Sequence, residues 1–214
     1  MSNIKILLIA IGLLSINLSK AQKTRQFKAK NGVRFEYAVI LPEGFTANKS
    51  YELAMVFTQI EKEHKGYEST LNDLGNGGKL ENTILFIPKV PLGKPHWISH
   101  PIHHGLNDLM DELSGKYGKR DQRFHFIGHL FGGRVAQTYS GMSSQYVSSV
   151  AFINSQHWSI TKQQYFNQIL DLGFPVKVYA EEAQEALPID VSKTTFRRVD
   201  SFEQGLQLFD QQHK

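Results

Sequence analysis

The stretch Arg123-Phe-His-Phe-Ile-Gly-His-Leu-Phe-Gly-Gly-Arg-Val-Ala-Gln-Thr-Tyr-Ser140 decides how this chain folds. Phe124–Ile127 reads as a buried strand, because a short apolar run closed by glycine matches a strand in the interior of a sheet. Gly128, Gly132 and Gly133 bound a sharp turn centred on Leu130. Gly132–Tyr139 then reads as an amphipathic helix.

Working outward, the same alternation recurs. Phe27–Ala29 and Val33–Leu41 form two strands joined at Asn31-Gly32, a strong hairpin signal between apolar alternations. Glu52–Thr58 and Thr83–Pro88 are short apolar runs of buried-strand type. Leu106, Leu109, Met110 and Leu113 share one face of a helix over Gly105–Tyr117, which Gly118 closes. Downstream, Val147–Asn154 is a strand, Thr161–Leu172 a helix, and Pro175–Ala180 and Thr194–Val199 are strands. Ser201–Gln211 is a last helix. An antiparallel start followed by strand–helix alternation predicts an α/β fold. This is a three-layer sandwich with a mostly parallel twisted sheet, helices on both faces and an antiparallel N-terminal hairpin. Its functional loops would lie at the carboxyl ends of the strands.

Gly105-Leu-Asn-Asp-Leu-Met-Asp-Glu-Leu113, Tyr117-Gly-Lys-Arg-Asp-Gln-Arg-Phe124 and Gly128-His-Leu-Phe-Gly-Gly133 together resemble the central part of the α/β-hydrolase fold. The resemblance is to the phospholipase/carboxylesterase branch and to secreted esterases of the feruloyl-esterase and polyhydroxybutyrate-depolymerase type. It covers about Pro95 to Asn154, and the order of elements fits from about Phe27 onward. The third motif resembles their Gly-His-Ser-x-Gly-Gly nucleophile elbow, with Leu130 where the serine stands. A leucine cannot attack a carbonyl. At the positive φ of an elbow it would store strain on the order of 1–3 kcal/mol.

The resemblance also says where the remaining catalytic parts should stand. The acid would follow Pro175–Ala180, near Gln184, with Glu181 or Glu182 as substitutes that also read as ordinary loop carboxylates. The base would follow Thr194–Val199, where this chain has Asp200. Ser201 or Asp200 is better explained as the N-cap of the last helix. His213, next to the C-terminal Lys214, is the only histidine after His157. One oxyanion donor would be the Phe131 backbone N–H. The other would come from the loop after Thr58, which here reads Gln59-Ile-Glu61 rather than His-Gly. Serine and histidine of a triad act as a unit, so their joint absence argues against the mechanism itself.

Other residues invite readings of their own. His96, His100, His103 and His104 crowd nine residues and are candidate metal ligands, although their spacing matches no established zinc motif and a surface or pocket-rim loop is the plainer reading. His125 alternates with Phe124 and Phe126 as a core or sheet-face histidine. Gln59, His129, Leu130, Phe131, His157 and Trp158 are candidates to line a ligand pocket; Trp97, Trp158 and Phe131 could make an aromatic wall for a ligand or equally cap the core. Ser155 with His157 is an alternative nucleophile pair that lacks a visible acid.

Met1–Ala21 has Lys5, an apolar run from Ile6 to Leu18, and Ser19-Lys20-Ala21 before Gln22, the pattern of a secretory signal peptide. The expectation is an exported protein, periplasmic or extracellular, with residues 22–214 as one domain and no stable membrane insertion after cleavage. The chain has no cysteine, so no disulfide supports it. Its formal net charge is +4, of which Lys5 and Lys20 supply two. Apart from Lys28–Lys30 and Lys116–Arg123 the basic residues are scattered, which argues against a nucleic-acid partner. No repeat and no low-complexity tract is present. The expected function is a binding or accessory protein that has lost serine-hydrolase catalysis, needs no cofactor and takes a small apolar, ester or sugar ligand, with any protein partner unknown. The alternative is a secreted esterase using displaced residues such as Ser155, His157 or His129.

Overall fold

The computed structural model describes residues 23–58, 66–75, 80–118, 122–155, 171–180 and 194–212. The strands are β1 (Lys23–Lys28), β2 (Arg34–Ile40), β3 (Glu52–Phe57), β4 (Thr83–Pro88), β5 (Phe124–Leu130), β6 (Val147–Ser155), β7 (Val176–Ala180) and β8 (Thr194–Arg198). They form one sheet in the order β1-β2-β4-β3-β5-β6-β7-β8. β1 pairs with β2, and β2 with β4, antiparallel; every other pairing is parallel. β5 therefore lies between β3 and β6, in the middle of the parallel part.

Strand alternation builds two cores. Leu53, Met55 and Phe57, with Phe124 and Phe126, and Val150 and Phe152, pack on one face under α2 (His100–Tyr117) and α3 (Gly133–Met142). Ala54 and Val56, with Ile127, and Ala151 and Ile153, pack on the other under α1 (Gly66–Gly75) and α4 (Phe202–Gln211). Both faces of β3 to β6 are covered, so those strands read as near-continuous apolar runs. The result is the expected three layers.

The hairpin turns at Asn31-Gly32 as expected. Gly32 sits at φ 85, a backbone region open to glycine without strain. Asn31 Oδ1 accepts from Val33 N at 3.1 Å, and its amide donates to Pro101 O at 2.7 Å, tying the turn to α2. Gly105 lets α2 approach closely: a Cβ there would meet Phe35 at 3.0 Å.

Two elements differ from expectation. α2 begins at His100 rather than Gly105, because Ser99 takes the extended conformation of an N-cap and Pro101 falls in the first turn, where a missing N–H costs nothing. The histidines 100–104 are consequently helical and not a loop. α1 was not anticipated. Its stripe is Tyr67, Thr70, Leu71 and Leu74, and a threonine in the apolar face obscures the 3.6-residue period. Of the two readings of Trp97 the core one holds: it is fully buried against Phe35, Phe57 and Tyr139. Most of the expected helix Thr161–Leu172 lies outside the described residues.

At the far end of the chain, Ser201 caps α4 by accepting from Gln204 N at 3.1 Å. Asp210, in its last turn, would be disfavoured by the helix dipole. It is held there because its carboxylate accepts from Glu81 N at 2.8 Å and Asn82 N at 3.2 Å, just before β4. Among the described residues no helix is long and apolar enough to cross a membrane.

Candidate functional site

β5 runs straight into a turn whose backbone is strained at one residue. Leu130 has φ 49, the left-handed region that a leucine seldom enters. Gly132 N donates to His129 O at 2.8 Å and closes the turn, and Ala136 N donates to Gly132 O at 2.9 Å as α3 begins. The glycines make this possible sterically. A Cβ on Gly128 would lie 2.5 Å from the Gly133 Cα, and one on Gly132 would overlap the Phe57 carbonyl. A Cβ on Gly133 would overlap the Ser155 hydroxyl. Strand, left-handed residue and helix are thus locked in the geometry of an elbow, at the carboxyl edge of the sheet.

The neighbouring strand is shaped to match. The β5–β6 register shifts between His129 and Leu130, so that Ser155 and not Asn154 stands opposite Leu130. Asn154 takes the extra step at φ 45. Ser155 Oγ then donates to Leu130 O at 3.1 Å. Its hydroxyl is committed to holding the turn, and the residue is 9% exposed.

His129 lies inside rather than at the surface. It is 2% exposed and stacks on Phe202 with ring centroids 3.8 Å apart. Its Nδ1 is 2.8 Å from Thr70 Oγ1, which itself donates to Gly66 O at 2.7 Å. With the threonine proton directed to that carbonyl, Nδ1–H is the donor to Thr70. Burial pushes the His129 pKa down to about 3, so the ring is neutral at ordinary pH.

Leu130 itself is half-buried, with Phe131 half-exposed beside it. The Leu130 side chain points toward the start of α1, where a Cβ on Gly66 would come 3.8 Å from its Cδ1 and would overlap the Thr58 carbonyl. The elbow therefore offers an apolar surface and no nucleophilic atom at its centre.

Asp200, at the position expected for the base, is exposed, and its backbone N–H donates to Gln204 Oε1 at 2.6 Å. It belongs to the entry of α4. Gln59, His157, Trp158, Glu181, Glu182, Gln184 and His213 lie outside the described residues. His125 sits at the opposite, amino edge of the sheet, with Nδ1 2.7 Å from Ser149 Oγ and Nε2 3.2 Å from Glu52 Oε2. It is a satisfied sheet-face histidine. His100, His103 and His104 come together on the first turn of α2, one ring nitrogen of each within 4.8 Å of the others; the exposed His96 is not part of that group. Sequence reasoning missed Thr70 and Gly66, and only the threonine in the α1 stripe could have hinted at a buried polar partner.

At the level of sequence, no family model and no curated protein matches the chain. Solved structures do match. A thermostable esterase aligns with TM-score 0.53 at 13% identity over 89% of this chain, which spans 60% of that protein. An S-formylglutathione hydrolase from Staphylococcus aureus aligns with TM-score 0.58 at 10% identity, covering 90% of this chain and 98% of that one. A feruloyl esterase module from Clostridium thermocellum, solved with sinapinate, aligns with TM-score 0.56 at 16% identity, covering 88% and 84%. The likeness is one of architecture.

Proposed function

Because the chain has the α/β-hydrolase fold of esterases, we propose that it is an exported, non-catalytic relative of the serine esterases that binds a small ligand at its elbow. The observation that carries this reading is Leu130 at φ 49. The backbone keeps the strain that serves to present a nucleophile, while the side chain presented is apolar. Strain of this kind costs on the order of 1–3 kcal/mol and persists only where the surroundings enforce it. Here Gly128, Gly132, Gly133 and Ser155 enforce it. Asp200 at the entry of α4 supports the same reading, since a solvated carboxylate that belongs to a helix start is not a base poised against a hydroxyl. Export rests on the pattern of Met1–Ala21. The ligand class is a small apolar, ester or sugar compound, for which Leu130 and Phe131 would supply apolar contact.

A second reading, an esterase with displaced residues, is favoured by one observation: Ser155 Oγ lies against the elbow. Its proton is directed to Leu130 O, which is opposed to a nucleophilic role.

The test is hydrolysis of short-chain p-nitrophenyl esters by the mature chain. No turnover above an elbow-deleted control is expected, and Leu130→Ser alone should not create it, because a serine without a base is a weak nucleophile. Turnover that Ser155→Ala stops would establish the second reading. Turnover created by Leu130→Ser with a bell-shaped pH profile would reveal a base and overturn the first.

A further inference from the structure

His100, His103 and His104 are spaced i, i+3, i+4 and share one face of the first turn of α2. Their rings lie close: the centroids of His100 and His104 are 4.8 Å apart, those of His103 and His104 5.2 Å, and those of His100 and His103 6.1 Å. The two outer rings are exposed, whereas His103 is 8% exposed and stacked on Tyr139.

The hydrogen bonds of His103 settle which of its nitrogens carries the proton. Nε2 is 3.1 Å from Met142 O, which can only accept. It is also 2.9 Å from Ser143 Oγ, whose own proton goes to Asn107 Oδ1 at 2.7 Å. Both partners therefore require Nε2–H as donor, and in the neutral ring the lone pair is on Nδ1. Nδ1 is buried and has no hydrogen-bond partner among the described residues. A buried polar atom without a partner calls for a physical reason. Packing on Tyr139 explains the ring's position and leaves the lone pair unexplained.

We propose that His100, His103 and His104 form a binding site for a borderline divalent transition-metal ion of the zinc class, with His103 Nδ1 as its buried ligand. Three neutral imidazoles suit such an ion and not a hard cation such as magnesium or calcium, which takes oxygen ligands. The Nε2–H bond to a backbone carbonyl is the arrangement that orients a ligating histidine and fixes its tautomer. Nitrogens bound to zinc at about 2.0–2.1 Å stand about 3.3 Å apart in a tetrahedral site. One ring nitrogen of each histidine lies within 4.8 Å of the others, and rotation of the two exposed side chains would bring their nitrogens to His103 Nδ1. Three protein ligands leave the remaining coordination to water or to an outside donor. The site is independent of the elbow and of its proposed loss of catalysis.

The experiment is calorimetric titration of the tag-free mature chain with Zn2+, and with Mg2+ for comparison. One Zn2+ per chain is expected and no Mg2+. The double variant His100→Gln/His104→Gln changes only exposed side chains and should weaken Zn2+ binding at least about 10-fold. His103→Gln, whose amide can still donate to Met142 O, should weaken it comparably while circular dichroism shows an intact fold. Should His103→Gln unfold, the exposed pair alone decides. Absence of Zn2+ binding, or binding that the double variant leaves unchanged, overturns the proposal.

Discussion

Leu130 concentrates what is unusual about this protein in a single pair of backbone angles. Its φ of 49 puts Cβ close to backbone atoms that a glycine or an asparagine would avoid or tolerate. The strain is a property of the backbone, so it is tested by changing side-chain branching and not polarity. Leu130→Ile conserves volume and, in an ordinary core position, would cost less than about 1.5 kcal/mol. At a positive φ a β-branched residue is a genuine outlier, and the expected loss is about 2 kcal/mol or more. Leu130→Asn, which gives up apolar contact but accepts the left-handed region, should cost less than Leu130→Ile. Urea midpoints of the two variants check the order. The opposite order would mean that Leu130 is held by its packing toward Gly66 and not limited by its backbone.

The elbow as an element depends on how near β3, β5, β6 and α3 come to one another. Two glycines separate close approach from simple helix propensity. A methyl on Gly132 would overlap the Phe57 carbonyl, which is backbone and cannot rotate away, while one on Gly115 in α2 would meet nothing within 4 Å. Gly132→Ala should therefore destabilise by about 3 kcal/mol, the upper range for overpacking. Gly115→Ala should stabilise by up to about 1 kcal/mol, because it adds helix propensity and removes freedom from the unfolded chain. Thermal or denaturant unfolding of the pair, measured in parallel, reads both signs at once. A neutral Gly132→Ala would show that α3 can slide away from β3 and that the elbow is not locked.

Across the whole molecule, His129 links β5 to α1 through Thr70 and to α4 through Phe202. Its pKa falls from 6.5 to about 3 on burial, so below 6.5 the unfolded chain binds a proton that the folded one refuses. Stability is then lost as pH falls from about 6.5 toward 3, with a slope on the order of 1 kcal/mol per pH unit. His103, also lowered by burial, acts in the same direction. His129→Asn should lower stability at pH 7 yet flatten its decline between pH 6.5 and 4, as measured by urea unfolding across that range. An unchanged decline would place the acid sensitivity elsewhere. The same scale separates what was legible in the sequence from what was not. Apolar period, glycine spacing and the Asn31-Gly32 turn are local signals, and they determined the hairpin, the strands around β5 and the elbow with Leu130 at its centre. Each depends on neighbours a few residues away, where chain geometry leaves little choice. The tertiary structure alone decided the rest: that Thr70, on a helix with a masked apolar face, meets His129; that Ser155 shifts register to bond Leu130 O; that Trp97 is core; and that a run of histidines becomes one helical face with a buried lone pair. Those pairings join residues 25 to 59 positions apart, or hinge on where a helix starts. They follow from which surfaces the sheet brings together, which no local periodicity encodes.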